Sequence, residues 1–341
     1  MTHSVVIGGA GFVGSWVVEE ILKSPDSKVT IIDNLISSEK WNISLDPRVT
    51  FIEGSAAKYD TFEKIQGPID FIYQLACFHG NQSSIAQPLD DLENGLKSTL
   101  TTLEWVRQKS PQSRVIYSGA GCAVAEKTWD SPEPVREIDS TSLNHDSPYS
   151  ISKITGEMFC CFYSEQHNLD VVRVRFQNVY GPREILGAGI WRGTSSTIWR
   201  NVIPTFIWKA LKNKNLEVYG NRTASRDFIF VGDIARGCVL AALHGKRGDV
   251  YNLATERETK ILDLAKLIVR ATSSSSEIII IPPRNWDNSG RRYGSAGKAK
   301  KEIKFSATYD LSTGLEETIQ WTRDNLKLIE KSMQKFTDEI K

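Results

Sequence analysis

No apolar stretch in the 341-residue chain approaches the ~20 residues that a membrane-spanning helix needs, so no membrane partner is expected. Charge of one sign is missing too. Lys and Arg total 42 against 41 Asp and Glu, a formal net charge of +1. No basic block interrupts that balance, which excludes the electrostatic footprint of a protein whose main partner is nucleic acid. Cysteine is scarce and unpatterned. Cys77, Cys122, Cys160, Cys161 and Cys238 are odd in number and form no C-x-x-C spacing. That usage reads as reduced thiols in a cytoplasmic protein. No internal repeat and no metal-ligand arrangement is visible, and no leader is expected ahead of the first strand. What is present is 40% apolar content, enough for a large core in one elaborated α/β domain or in a domain with a smaller partner lobe.

The most informative stretch is the first. Val5-Val6-Ile7 is an apolar run that ends in Gly8-Gly9-Ala10-Gly11-Phe12-Val13-Gly14, and a helical pattern follows at once through Trp16, Val17, Val18, Ile21 and Leu22. Gly9, Gly11 and Gly14 satisfy G-x-G-x-x-G. In a strand–turn–helix context one such glycine permits the tight turn, one admits a pyrophosphate to the backbone, and one lets the helix pack on the strand. The helix N-terminus then offers N–H groups and a positive dipole end to phosphate. A second apolar run, Val29-Thr30-Ile31-Ile32, ends in Asp33, at the ~20-residue distance expected of the carboxylate that holds an adenosine ribose. Asn34 and Leu35 offer no charge to a 2′-phosphate, which Asp33 would repel, so the expected dinucleotide is NAD rather than NADP.

Strands and helices then alternate. Val49–Ile52, Ile69–Leu75 and Arg114–Ser118 read as strands, and a long helix is predicted over about 88–108. Such alternation indicates βαβ units and a parallel sheet. Its ligands bind at the C-terminal strand ends, which places Gly11, Asp33, Leu75, Ala76 and Ser118 beside the cofactor. Farther on, Ser147 and Pro148 suit a helix start. Tyr149 and Lys153 then fall on one helical face. An ammonium beside a phenol favours phenolate, and such a tyrosine can exchange a proton with a sugar hydroxyl.

With these residues in hand, the chain resembles the extended short-chain dehydrogenase/reductases, specifically the NAD-dependent nucleotide-sugar epimerases and dehydratases. The resemblance covers nearly the whole length. It includes Arg173–Pro182, Val202-Ile203-Pro204, the segment from Val218-Tyr219-Gly220 to Arg226–Asp233, and Arg291-Arg292-Tyr293. It implies a Rossmann-like, doubly wound parallel sheet with a smaller C-terminal substrate-binding lobe. The NAD-binding part would span 1–181 and also receive segments from about 226–254, and 182–341 would form most of the lobe. Tyr149 would be the acid/base, and Lys153 would also hold the nicotinamide ribose. Ser83, Asn178, Arg226 and Arg291 or Arg292 would bind a nucleoside-diphosphate sugar, arginine forks gripping the diphosphate. A homodimer through the two long helices, about 90–108 and 148–167, is implied as well. Cys160 and Cys161 on the second of these are expected to pack.

The chain departs from the family at one point. Ala120 falls where a Ser or Thr normally bonds the substrate oxygen, and Ser118 is the candidate to replace it. Gly121-Cys122 follows where 4,6-dehydratases carry Asp-Glu and decarboxylases carry Glu. Hydride removal and return at C4 needs neither acid, so 4-epimerisation leads. GDP-mannose 3,5-epimerases use a cysteine and a lysine at positions matching Cys122 and Lys209, which leaves C3 or C5 inversion open. A sugar-nucleotide dehydratase, a 4-ketosugar reductase or a weakly active NAD-binding protein also remains open. His79 is expected to face the sugar pocket or to serve structure. Trp191 and Trp199 are expected to pack rather than stack on sugar.

Overall fold

The computed structural model describes residues 1–121, 132–139, 143–220, 223–287 and 290–340. Short apolar runs become thirteen strands among these residues. They are β1 (Thr2–Ile7), β2 (Ser27–Asp33), β3 (Val49–Glu53), β4 (Phe71–Gln74), β5 (Arg114–Ala120), β6 (Val171–Phe176), β7 (Asn178–Tyr180), β8 (Leu216–Tyr219), β9 (Ser225–Arg226), β10 (Phe228–Phe230), β11 (Val250–Leu253), β12 (Thr259–Lys260) and β13 (Ile278–Ile281).

Seven of them form one parallel sheet in the order β11-β6-β5-β4-β1-β2-β3. Chain order reverses at β1, which lies between β2 and β4. Crossovers to the two sides leave a crevice there, outside the carboxyl ends of the strands. The sheet is buried on both faces, so its strands carry continuous rather than alternating apolar residues. Val17, Val18 and Ile21 of the Phe12–Leu22 helix pack on one face with Ile234 and Cys238 of the Val231–His244 helix. Leu103 and Val106 of the Ser98–Lys109 helix and Cys160 and Tyr163 of the Pro148–Gln166 helix cover the other. A separate core of Ile203, Phe206, Ile207, Val218, Leu264, Ile268 and Ile319 lies in the C-terminal half.

Two predicted helices differ in detail. The one foreseen over 88–108 runs as Pro88–Asp91 and Ser98–Lys109 joined by a π-helical turn, Leu92–Lys97. Such bulges collect at functional sites, and this one sits beside the Pro148–Gln166 helix. The terminal helix foreseen over about 313–332 is two helices, Leu311–Asp324 and Leu326–Gln334. Asn325 interrupts them, its side-chain amide donating to Trp321 O at 2.9 Å. An asparagine amide competes with the helical ladder in this way, and one polar residue within an amphipathic period does not announce it. Among the described residues no helix is long and apolar enough to cross a membrane.

Candidate active site

The glycine turn leaves β1 with Gly8 at φ +84°, a left-handed conformation open to glycine. A Cβ on Gly8 would come within 2.9 Å of Ala76 N, and one on Gly14 within 2.1 Å of Gly8 O. Gly8 therefore makes the turn, and Gly14 lets the helix seat on it. Gly11 ends the turn in extended backbone ahead of Phe12 and Val13, the first helical residues. Two side chains brace this loop. Asp33 Oδ2 accepts from Ala10 N at 3.0 Å, and Asn42 Nδ2 donates to Ala10 O at 3.1 Å. Asn42 was not foreseen, because nothing in its local sequence links it to a turn earlier in the chain.

Gly8, Asp33, Asn34, Ala76 and Cys77 line one cleft at the β1–β2–β4 strand ends. Leu75 stands at its root, its N–H bound to Ile7 O at 3.1 Å. Asp33 is largely buried, which raises its carboxyl, while bonds from Leu35 N, Ser38 Oγ and the turn N–H groups oppose the rise. Asn34 is held by its amide at 2.9 Å from Asn94 Oδ1. A turn that any Cβ at Gly8 or Gly14 would block, a helix N-terminus and a carboxylate on the cleft wall together fit a dinucleotide.

The second constellation rests on the Pro148–Gln166 helix. Ser147 caps it, accepting from Ser150 N at 3.3 Å. Tyr149 N is bound to Ser84 Oγ at 3.1 Å, and the Tyr149 ring meets His79 edge-on with centroids 6.0 Å apart. Lys153 is buried, and its ammonium donates to Ser118 O at 2.8 Å and Ser118 Oγ at 3.2 Å. The Ser118 hydroxyl gives its proton to Gln74 O at 3.0 Å. Tyr117 Oη donates to Lys153 O at 2.9 Å, and Gly156 admits that phenol, since a Cβ there would lie 2.4 Å from it. Tyr149, Lys153, Tyr117, Cys77, Asp91 and Gly95 thus share one cavity. Ala120 closes β5 without a polar side chain. Cys122 lies outside the described residues.

The segment 183–200 forms a strap that ties the residues after β2 to those after β4. Trp16 Nε1 donates to Pro182 O at 3.0 Å, Ile190 N to Ile36 O at 3.1 Å and Arg200 Nη1 to Ser37 O at 2.8 Å. Arg192 Nη1 donates to His79 O, and Ser83 Oγ meets Ser196 Oγ at 3.2 Å. His79 is partly buried. Burial, with Arg192, Arg200 and Lys153 nearby, pushes its imidazole down to about 3, so the neutral ring accepts from Asn201 Nδ2 at 3.3 Å. Trp191 packs on Phe336 and Trp199 on Trp208.

The proposed substrate residues divide. Asn178 opens β7, paired with Phe228 of β10. Arg226 donates to Ser225 O and Gly290 O at 2.7 and 2.9 Å. Arg292 is buried with its Nε unpartnered among the described residues. Arg291 is instead committed to Glu258 through two bonds, 2.8 and 2.9 Å. Lys209 pairs with Glu217 at 3.0 Å.

The sequence model described as the NAD dependent epimerase/dehydratase family matches residues 4–254. The chain is 45% identical to the Bordetella bronchiseptica enzyme WbmF, crystallised in complex with NAD+ and UDP, with a TM-score of 0.89 over 99% of this chain and 97% of that one. It is 27% identical to a putative UDP-glucose 4-epimerase of Methanocaldococcus jannaschii, over 94% of this chain and 98% of the relative. It is also 27% identical to a UDP-N-acetyl-alpha-D-glucosaminuronate decarboxylase of Bacillus cytotoxicus, over 94% of this chain and 97% of the relative.

Proposed function

The chain belongs to the NAD-dependent epimerase/dehydratase family, and we propose that within it this protein inverts C4 of a nucleoside-diphosphate sugar through a transient 4-ketosugar. The observation that carries this reading is the cavity shared by Tyr149 and Lys153 at the strand ends of β4 and β5. The glycine turn and Asp33 would hold the dinucleotide, as the family and the NAD complex of the Bordetella relative support. Bound there, NAD supplies the acceptor and donor of the hydride at C4. Tyr149 takes the 4-hydroxyl proton and returns it, and the Lys153 ammonium favours the phenolate form that does so. Arg226 and Arg292 are the guanidinium groups assigned to the diphosphate. The residues that follow β5 in sequence, Gly121-Cys122, lack the acids of dehydratases and decarboxylases. Lys209, held by Glu217, counts against proton transfer at C3 or C5.

We also assign a homodimer in the cytoplasm. Leu92, Ile151, Met158 and Phe162 are each about half exposed on the two long helices, an apolar patch suited to a second copy of the chain. The four described cysteines are unpaired thiols.

The test is proton NMR in D2O of the NAD-loaded protein with UDP-, GDP-, dTDP- and CDP-sugars. The expected product is a 4-epimer free of carbon-bound deuterium, and Tyr149→Phe abolishes it. Deuterium at C3 or C5 would overturn the assignment and make Cys122 the base to test.

A further inference from the structure

We propose that Arg192 is the receptor for a carboxylate carried by the sugar of the substrate, an inference that rests on the nucleotide-sugar reading above. Arg192 is 1% exposed, yet its Nε and Nη2 have no hydrogen-bond partner among the described residues. Among the described residues no other side chain combines a full charge, near-complete burial and two idle donors. A buried guanidinium with two unmade bonds is costly and calls for a ligand.

The free edge has a shape. Nη1 is spent on His79 O, and the guanidinium lies 5.7 Å from the centre of the Phe78 ring. The Nε–Nη2 side that remains carries parallel N–H groups, the geometry that matches the two oxygens of a carboxylate. Among the described residues its surroundings offer no carboxylate counterion. Burial and the Arg200 charge push the Arg192 guanidinium down to about 9. Glu184, a carboxylate of the strap itself, acts on Arg200 instead and is bound by Asn201. Lys153 adds positive charge, and His79 stays neutral. Lys153 has the Asp91 carboxylate within electrostatic reach, whereas Arg192 has no carboxylate acting on it among the described residues, and an anionic ligand group would balance it.

Position selects which anion. The strap begins beside the helix N-terminus, where Arg183 reaches Ser15 O at 3.5 Å and Glu19 at 3.6 Å. Arg192 lies midway along it, bound to the carbonyl of His79, whose ring meets that of Tyr149. It also lies within electrostatic reach of Cys77, which lines the Tyr149–Lys153 cavity. On the nucleotide-sugar reading, the reacting sugar would lie on this His79–Tyr149 side and the dinucleotide phosphates on the Arg183 side.

The test compares UDP, UDP-glucose, UDP-glucuronate and UDP-N-acetylglucosaminuronate on the NAD-loaded full chain by titration calorimetry, with bound NAD measured in parallel. The wild type is expected to bind the two uronates ~30-fold or more tightly than UDP-glucose, the discrimination of a desolvated charge pair. Arg192→Met is expected to erase that preference while UDP affinity and NAD content hold. Arg192→Lys should keep part of it, because the charge remains without the fork. The wild-type comparison stands even if a variant fails to fold. Equal binding of uronate and neutral sugar, with UDP bound, overturns this inference alone. Loss of NAD from Arg192→Met with the preference intact also overturns it, and assigns the guanidinium to the cofactor pyrophosphate. Failure of UDP itself to bind overturns the nucleotide-sugar reading and this inference with it.

Discussion

Glu258 holds Arg291 from two sides, Oε1 accepting from Nε at 2.8 Å and Oε2 from Nη2 at 2.9 Å. The pair lowers the Glu258 carboxyl and raises the Arg291 guanidinium. A fork that is fully engaged cannot also grip a diphosphate without breaking this contact. Arg291→Ala should therefore change UDP affinity by less than about threefold, the scale of a surface pair. Arg292→Met, which removes a buried and incompletely bonded guanidinium, should weaken UDP by ~tenfold or more. Titration of UDP into both variants decides between them, and the reverse ranking would return the phosphate role to Arg291.

Ser118 serves Lys153 before it can serve a substrate. Its hydroxyl proton is committed to Gln74 O and its carbonyl already holds the ammonium. Ser118→Ala keeps the shorter of the two lysine contacts and forfeits one ordinary hydrogen bond, on the order of 1 kcal/mol. Turnover should fall about tenfold or less. A loss beyond about a thousandfold with bound NAD unchanged would mean that the hydroxyl acts on the sugar.

Gly14→Ala tests the seat of the first helix. The new methyl would stand 2.1 Å from Gly8 O, a backbone atom with no rotamer through which to yield. Overpacking of this kind costs about 1–3 kcal/mol, and here it also displaces the N–H groups offered to phosphate. A lower melting temperature together with loss of copurifying NAD is expected. Stability lost with NAD fully retained would separate the turn from cofactor binding.

Glu184 sets a pH dependence. Burial raises its carboxyl to about 7, with the Asn201 bond and the Arg200 charge opposing that rise. The folded pKa lies above the unfolded one, so the folded state binds the proton more tightly. The contribution of Glu184 to stability is fully present below about pH 4.3 and is lost as pH rises through about 7. That loss is on the order of 3 kcal/mol. Glu184→Gln keeps an acceptor for Asn201 and removes the titration. Its melting temperature should fall less than that of the wild type between pH 5 and 8, roughly the interval over which the shifted carboxyl ionises. Parallel melting curves for the two proteins would refute the assignment.

The sheet and the two ends of the site were legible because each is written in a local pattern. The Val5–Gly14 turn, the run ending at Asp33 and the Tyr149–Lys153 pair each sit within a few residues on one strand or helix. The exact bearer of the left-handed turn was less legible, because Gly8 and Gly9 both offer that conformation and only the approach of Ala76 N decides. Arg192 carried no signal. Its burial depends on His79, which is 113 residues away in sequence, and on a strap whose composition resembles any surface loop. Arg291 and Arg292 are adjacent, and only the position of Glu258 separates them. Period and spacing encode the scaffold, whereas pairings between distant side chains decide which charged groups are left for a ligand.

Lys153 is fastened at both ends by neighbouring residues of one strand, its carbonyl by the Tyr117 phenol and its ammonium by Ser118. A free lysine samples many rotamers, and holding one costs roughly 2 kcal/mol of side-chain entropy. Here that ordering is completed when the chain folds. The ammonium stands ready before any sugar arrives, so binding energy from the substrate is not diverted to arranging it.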